Sequence, residues 1–249
     1  MAITRRARDR VRAELVFEIK TEARRQLVEH GASDLSLRAV ARELGMASSA
    51  IYRYFPSRDD LLTSLIIDAY DSLGDQAERA GARPPAEDHL RRWCETCEAI
   101  RAWALANPHE YALVYGSPVP GYVAPRTTVG PAVRVALALL TPLRDAVAAG
   151  RLSPAGTPTP SSPVLVAEAG RVVGEIDMAE LPPSVFVRAV AAWGQVMGLI
   201  SLELFGHLEG VFEDKAPLFT ESVRMMADLL GLKSGGAAQG EPPFREMER

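Results

Sequence analysis

Apolar side chains recur along most of this chain at intervals of three and four residues, the spacing that places them on one face of an α-helix. The pattern predicts an all-α protein. Prolines interrupt it at 116–125, and a Pro/Ser/Thr/Gly run interrupts it at 151–163. The segment 164–175 has β-branched residues but little periodicity and receives no assignment. The predicted helices are 9–29, 37–44, 47–54, 58–79, 87–106, 110–115, 130–149, 184–205 and 215–230. Ser57 and Asp60 have the spacing of a capping box at the start of the helix 58–79, with Asp in place of the usual Glu.

Two short helices between residues 36 and 54 are the most informative feature of this pattern. Ser36 can cap the first helix, and Gly45 follows its last apolar residue, where a residue with positive φ commonly ends a helix. The second helix would direct Ile51 and Phe55 inward. Short hydroxyls, aromatic hydroxyls and a guanidinium would then face outward, a set that suits a helix end in the major groove of DNA. These outward residues are Ser48, Ser49, Tyr52, Arg53 and Tyr54.

Residues 35–55 resemble the helix-turn-helix of the tetracycline-repressor (TetR) family of bacterial regulators. Upstream, a helical apolar pattern leads to Gly31, which matches the family's glycine stop. Downstream, the segment 52–62 (YRYFPSRDDLL) resembles the family's tyrosine, phenylalanine, basic residue, acidic pair and double leucine. The likeness covers about residues 10–70. Two positions depart from it: Ala47 stands where members often have the serine cap of the reading helix, and Ser49 stands where they often have glycine.

The chemistry of these residues suggests separate roles on DNA. Ser48, Ser49 and Arg53 would face base edges, where a guanidinium can bind guanine O6 and N7 together. Ala47 would begin the reading helix without a side-chain cap of its own. Hydroxyl and guanidinium groups around it would bind phosphates. The predicted phosphate ligands are Ser36, Arg38, Tyr52, Tyr54 and Arg58.

The segment 189–202 is apolar nearly all round, which points to a buried helix. Gly194 and Gly198, four residues apart, would let another helix approach closely. In the resembled family the last two long helices form a four-helix dimer interface; close packing within one subunit is the alternative. The segment also resembles a subgroup with Trp, His and Gly at this spacing, where this chain has Met197 instead of the His. The predicted dimer residues are Trp193, Gly194, Gly198, Leu202, Met225 and Leu229.

Aromatic and sulfur-containing side chains concentrate in the middle of the chain. An ordinary hydrophobic core explains most of them. In the resembled family this domain encloses an apolar effector pocket, so some of them are predicted to line a cavity, with the proline-rich segment 116–125 near its mouth. The candidate effector-binding residues are Trp93, Trp103, Tyr111, Tyr115, Phe186, Trp193 and Met197.

Composition and charge agree with a DNA-binding N-terminal region followed by a separate ligand-binding domain. Residues 1–60 hold 12 basic and 9 acidic residues, whereas the whole 249-residue chain has a net charge of −4. A basic end on an acidic protein suits a local polyanion site. The absence of an apolar run of 18 residues or an apolar N-terminal signal predicts a cytoplasmic protein without a membrane span. The predicted domains are 1–57 for DNA binding, 58–232 for ligand binding and dimerisation, and 233–249 as a disordered tail.

Other chemistries are weaker alternatives. Cys94 and Cys97 form a Trp-Cys-x-x-Cys motif, but charged, helical sequence precedes it rather than the strand of a redox fold. A redox sensor and two plain buried cysteines remain open. A zinc site would need a second ligand pair besides the cysteines, and neither His89 nor His109 belongs to one. Neither a hydrolase elbow nor a phosphate loop is present, so we expect no enzyme, cofactor or metal.

Together these features predict a homodimeric transcriptional repressor that binds a palindromic operator and is released by a small apolar effector. A DNA-binding regulator without an effector, an activator, and a thiol redox protein that uses Cys94 and Cys97 are the alternatives. The sequence leaves open the effector, the operator and the regulated genes.

Overall fold

The structure is a computed structural model that describes residues 2–153, 159–160 and 162–233. Its described residues form ten α-helices and two 3₁₀ turns without a β-strand, which confirms the all-α prediction. Most of the predicted tail, residues 234–249, lies outside the described residues. The helices are α1 (Ala2–His30), α2 (Leu37–Glu43), α3 (Ser48–Ile51), α4 (Arg58–Ala82), α5 (His89–Ala106), α6 (Pro108–Tyr115), α7 (Val129–Ala148), α8 (Pro163–Glu175), α9 (Pro183–Leu204) and α10 (Ala216–Leu230).

Two stretches differ from the sequence-based expectation. The first helix starts at Ala2 rather than near residue 9, because alanine and arginine are good helix formers in this stretch. The unassigned segment 164–175 is helix α8. Ser162 caps α8 by accepting a hydrogen bond from the Leu165 amide at 3.3 Å, and Pro163 occupies the first helical turn, where its missing N–H costs nothing. The buried Ala169 and Val173 give α8 an apolar face.

The apolar side chains form two hydrophobic cores. The N-terminal core contains Ile19 from α1, Val40 from α2 and Ile51 from α3, all fully buried. The C-terminal core is larger and is built from α4, α5, α6, α7, α8, α9 and α10. Its largest buried side chains include Trp93 and Tyr111.

Helix α4 belongs to both cores. Leu61 and Leu65 pack into the N-terminal core, whereas Leu73 and Ala77, two to four turns later, pack into the C-terminal core. The predicted domain boundary between residues 57 and 58 coincides with the start of α4. The first two turns of α4 therefore belong structurally with the N-terminal helices.

Helix α9 is only partly buried, although its sequence suggested a buried helix. Val196 and Ile200 lie in the core, whereas Val190 and Trp193 are exposed. By length and composition alone α9 could cross a membrane, with a mean hydropathy of 1.6 in its most apolar window. Its inner face packs against α8 and α10, and its outer face is exposed.

The start of α4 is fixed by the capping pair that the sequence predicted. The Ser57 hydroxyl oxygen accepts a hydrogen bond from the Asp60 amide at 3.1 Å, and the hydroxyl donates to the Asp60 carboxylate at 2.7 Å. We expect Ser57→Ala to lower the free energy of unfolding by about 1 kcal/mol, measured by urea denaturation. Ser33→Ala is the control, because the Ser33 side chain makes no hydrogen bond in the described structure. Equal losses in the two variants would contradict the assigned cap.

Candidate nucleic-acid interface

Local hydrogen bonds build the turn between α2 and α3. Ser36 caps α2 by accepting from the Ala39 amide at 3.4 Å. Gly45 then adopts φ of +65°, a conformation that side chains with a Cβ rarely adopt, and the Met46 amide donates back to the Ala41 carbonyl at 2.8 Å. The glycine stop predicted from the sequence is confirmed at Gly45.

The second helix is shorter than predicted. Regular α-helix covers Ser48–Ile51, and tighter i→i−3 hydrogen bonds carry the chain on to Tyr54. Ala47 is the N-cap and supplies no side-chain hydrogen bond. We call the stretch from Ala47 to Tyr54 the reading segment.

The reading segment presents its polar side chains to solvent. Ile51 and Phe55 are buried beneath it, at 0% and 7% exposure. Ser48, Ser49 and Arg53 are exposed, as the sequence predicted. The buried residues anchor the segment to the N-terminal core, so the exposed side chains are held in a fixed arrangement. The other predicted DNA ligands vary in exposure: Arg38 and Tyr52 are exposed, and Ser36 and Tyr54 are half-buried.

Arg58 differs from its predicted role as a phosphate ligand. Its guanidinium donates to the carbonyls of Ala32, Ser33 and Leu35 at 2.7, 3.1 and 3.1 Å. These three acceptors lie in the turn that precedes α2. Arg58 therefore ties the start of α4 to that turn and positions the helix-turn-helix, because most of its donors already have protein acceptors.

Arg12 is a neighbour of the reading segment that the sequence analysis missed. Its guanidinium lies 5.4 Å from the centre of the Tyr54 ring and donates to the Arg53 carbonyl at 3.4 Å. The cationic group thus stacks on an aromatic face at the end of the reading segment. The run of arginines in residues 5–12 was the available signal, but the sequence alone does not show that α1 passes this segment.

The far end of the molecule exposes an apolar surface on α9 and α10. Trp193, Leu202 and Met225 are 37%, 40% and 58% exposed. A Cβ added at Gly194 or Gly198 would meet no atom within 4 Å, so both glycines border open space in the single chain. Leu229 is half-buried beside them. All six predicted dimer residues are therefore at least partly accessible in the single chain.

Two family descriptions match most of the chain between them. "Bacterial regulatory proteins, tetR family" matches residues 19–65, and "Tetracyclin repressor-like, C-terminal domain" matches residues 93–226. The HTH-type transcriptional regulator Rv1816 of Mycobacterium tuberculosis is 39% identical over 230 residues, which cover 91% of this chain and 94% of that protein. The chain belongs to the TetR family. It is a transcriptional regulator with the family's N-terminal helix-turn-helix.

Solved structures agree with this assignment. The structure of SCO4313 matches with a TM-score of 0.71 and 35% identity, covering 88% of this chain and 98% of that one. A TetR family transcription regulator from Marinobacter aquaeolei VT8 matches with a TM-score of 0.57 and 16% identity, covering 90% and 97%. The second match concerns the fold alone.

In this TetR-family chain, the side chains predicted to line an effector pocket differ in how deeply they are buried. Trp93 and Tyr111 are fully buried and hydrogen-bonded: the Trp93 indole N–H donates to the Val223 carbonyl at 3.4 Å, and the Tyr111 hydroxyl lies 2.9 Å from both the Met197 carbonyl and the Ser201 hydroxyl. Both belong to the C-terminal core. Trp193 differs from its expected pocket role, since it lies on the exposed face of α9.

The remaining candidates lie between these extremes. Trp103 is 6% exposed and its indole N–H donates to the Ser72 hydroxyl at 2.9 Å. It lines an open groove of about 320 Å³ between α4 and α5. Tyr115 stacks 5.3 Å from the Tyr111 ring, and burial raises the pKa of its hydroxyl well above the usual value. Met197 is buried and Phe186 is half-buried against the C-terminal core.

A larger open groove of about 1130 Å³ lies between the start of α5 and α10 and was missed by the sequence analysis. His89 borders it. This side chain is 8% exposed, and neither ring nitrogen has a hydrogen-bond partner among the described residues. Burial lowers the His89 pKa, so the ring is neutral at neutral pH. Groups of three or more His, Cys, Asp or Glu side chains that could hold a metal are absent from the described part of the chain.

The two cysteines lie in the middle of α5, where a redox motif would need them at a helix start. Cys97 is fully buried and Cys94 is half-buried, and both are free thiols. Burial raises the pKa of Cys94 to about 11 and that of Cys97 well above its usual value. A reactive thiol needs the opposite shift. The structure therefore favours plain buried cysteines over a redox pair.

This shift predicts slow thiol chemistry. At pH 7 both thiols should react with iodoacetamide far more slowly than glutathione does, because little thiolate exists and Cys97 is shielded. Mass spectrometry of the labelled protein over time measures the rates. The unfolded protein in urea serves as the control and should be labelled quickly at both cysteines. Fast, selective labelling of native Cys94 would contradict the structural interpretation and revive the redox alternative.

Proposed function

We propose that this TetR-family regulator is a cytoplasmic, homodimeric repressor that binds a palindromic operator and is released from it by a small apolar effector. The observation that carries the DNA-binding part is the exposed polar face of the reading segment above the buried Ile51 and Phe55. A major groove accepts an α-helix, and short polar side chains followed by a guanidinium can reach base edges there.

Within this proposal, the exposure and position of each side chain indicate whether it contacts bases or phosphates. Arg53 with the hydroxyls of Ser48 and Ser49 would read bases, because these side chains are exposed on the reading segment. Tyr52 and Arg38, exposed on either side, would bind phosphates together with the hydroxyls of Ser36 and Tyr54. Arg58 would act indirectly, by holding the turn before α2 through its three carbonyl acceptors.

The dimer is supported by the exposed apolar face of α9 and α10. Trp193, Leu202 and Met225 are exposed apolar side chains on these two helices, and burying such side chains against a second copy stabilises association by roughly 25 cal/mol per Å² of apolar area. A twofold dimer would place two reading segments on successive turns of DNA. This arrangement matches a palindrome with half-sites about 34–36 Å apart, or a multiple of that distance.

Helix α4 would transmit the effector signal. It contributes to both cores, so an effector that changes the packing around Trp103 or Tyr111 also moves the reading segment. Contacts between α6 and α1 add a second connection: Arg24 of α1 bonds to Asp68 of α4 at 2.7 Å and lies 3.5 Å from Glu110 of α6. An effector with higher affinity for the state that cannot bind DNA would shift the population away from the operator.

A regulator without an effector is the second candidate. The full burial and hydrogen bonding of Trp93 and Tyr111 favour it, because an effector in that core would have to displace packed side chains. Operator affinity measured across a library of small apolar compounds separates the two. A compound that weakens binding at least tenfold supports the effector-responsive repressor, and a uniformly flat response supports the second candidate. Whether the regulator represses or activates depends on operator position.

Selection from a randomised duplex pool at low ionic strength would supply the operator and test the DNA-binding proposal. On the selected duplex we expect Arg53→Ala to lower affinity by about 1–3 kcal/mol and to relax the preference at one base pair of each half-site. Fluorescence anisotropy with single-base variants of the duplex measures both effects. Arg79→Ala, at the other end of α4, is the matched control and should leave affinity unchanged. A wild-type protein that retains no preferred sequence would overturn the proposal.

Gly198 offers a test of the dimer. Because a Cβ added there meets no atom of its own chain within 4 Å, Gly198→Leu should preserve the helical fold, as measured by circular dichroism. It should weaken dimerisation, since the added side chain holds the partner's helix away from α9. Analytical ultracentrifugation measures the monomer fraction. Gly130→Leu on α7 is the control, as its added side chain also meets open space. An unchanged dimer in the Gly198 variant would place the interface elsewhere.

A further inference from the structure

The net positive charge of residues 1–60 arises from the first turns of helix α1. Residues 1–12 contain five arginines and one aspartate, whereas residues 13–60 contain seven basic and eight acidic residues. The net positive charge of residues 1–60 therefore comes entirely from the first 12 residues. All of these arginines lie within helix α1. They are Arg5, Arg6, Arg8, Arg10 and Arg12.

Most basic residues in the rest of α1 are committed to acidic partners. Lys20 and Arg24 bind Asp68 of α4 at 2.8 and 2.7 Å. Arg25 bonds to Glu22 at 2.8 Å and also pairs with Glu29. Such pairs neutralise the C-terminal half of α1. They leave its cations with little capacity to bind an external anion.

The first turns of α1, residues 2–12, are different, and we call them the N-terminal arm. Arg8, Arg10 and Arg12 are exposed. Arg10 lies 3.4 Å from Glu14, a pair in which both side chains are more than 60% exposed and which is therefore weak. Arg8 has no carboxylate partner among the described residues, and Arg12 contacts the reading segment at Arg53 and Tyr54.

The N-terminal arm contacts the end of the reading segment through Arg12. Arg12 stacks on the Tyr54 ring and bonds to the Arg53 carbonyl, which fixes the helix at the end of that segment. Arg8 lies four residues earlier on the same helix face, about 6 Å farther along the axis at 1.5 Å per residue. The first turns of α1 therefore continue from the end of the reading segment, which places their exposed arginines beside the part of the protein proposed to enter the major groove.

We propose that the N-terminal arm is a second DNA-binding element, which binds the phosphate backbone flanking each half-site through Arg8, Arg10 and Arg12. This inference rests on the proposed DNA-binding function and deepens it. Arg58 is directed at protein carbonyls, so the arm adds cations to the exposed Arg38 and Arg53 of the helix-turn-helix. Phosphate contacts carry no sequence information, and the arm therefore raises affinity and salt dependence rather than specificity.

The salt dependence of operator binding tests the arm directly. Each phosphate contact contributes about −0.9 to the slope of log K against log salt concentration, and R8Q/R10Q removes two contacts from each subunit of the dimer, so the slope should fall by about 3.6. The affinity advantage of the wild type over this variant should then shrink roughly a hundredfold between 50 and 200 mM salt. The base preference of the variant should stay as in the wild type. Arg12 is left intact because its contact with Tyr54 also supports the reading segment.

Two matched variants isolate the position of the charge. R79Q/R224Q removes the same charge from exposed sites on α4 and α10 and should keep the wild-type slope. R8K/R10K keeps the charge in the arm and should also keep the slope. An unchanged slope in R8Q/R10Q, or an equal loss in R79Q/R224Q, would overturn the proposal. Circular dichroism and thermal unfolding verify that each variant is folded.

The length of the duplex locates the contact. Removing the base pairs that flank both half-sites should weaken wild-type binding much more than it weakens binding of R8Q/R10Q, which retains only Arg12 of the three arm arginines. Equal weakening in both proteins would show that the arm does not reach the flanking phosphates. If the wild type selects no sequence at all, the proposed function itself fails. If it selects a palindrome but the arm variants behave as the wild type does, only the arm proposal fails.

Discussion

Helix α4 has to pack into two hydrophobic cores at once, and the arrangement of the other helices follows from this constraint. Leu61 and Leu65 complete the core beneath the reading segment, and Leu73 and Ala77 complete the core of the C-terminal domain. Protein interiors are packed as densely as organic crystals, so neither core can shift independently along a rigid helix. The position of the reading segment is thereby linked to the packing of the C-terminal domain.

Charged groups reinforce this helix on both sides. Asp68, between the two sets of core residues, accepts hydrogen bonds from two basic residues of α1. Farther along, Arg134 of α7 binds three carboxylates of α4 and holds the pKa of Asp75 below its usual value. The carboxylates are Asp71, Asp75 and Glu78. Single exposed pairs contribute little stability, but a network of them fixes the direction in which α4 leaves each core.

Local signals allowed much of this fold to be predicted. Ser36 and Ser57 cap the helices that their sequence context indicated, and Gly45 adopts the positive φ that its place between two helical patterns required. Helix α8 escaped prediction because β-branched residues weaken a helical pattern, and its stability comes from burying Ala169 and Val173. Such burial depends on helices far away in the chain.

The sequence by itself determined the helix-turn-helix, the family and the outward direction of Ser48, Ser49 and Arg53, because these depend on residues within a few positions of one another. Tertiary structure alone decided which partners the long side chains meet. Arg58 turns to carbonyls more than twenty residues away instead of to solvent, and Trp193 lies on an open face rather than in the core. A flexible cation or an aromatic ring carries the same sequence signal in either place, and only the packing of distant helices distinguishes them.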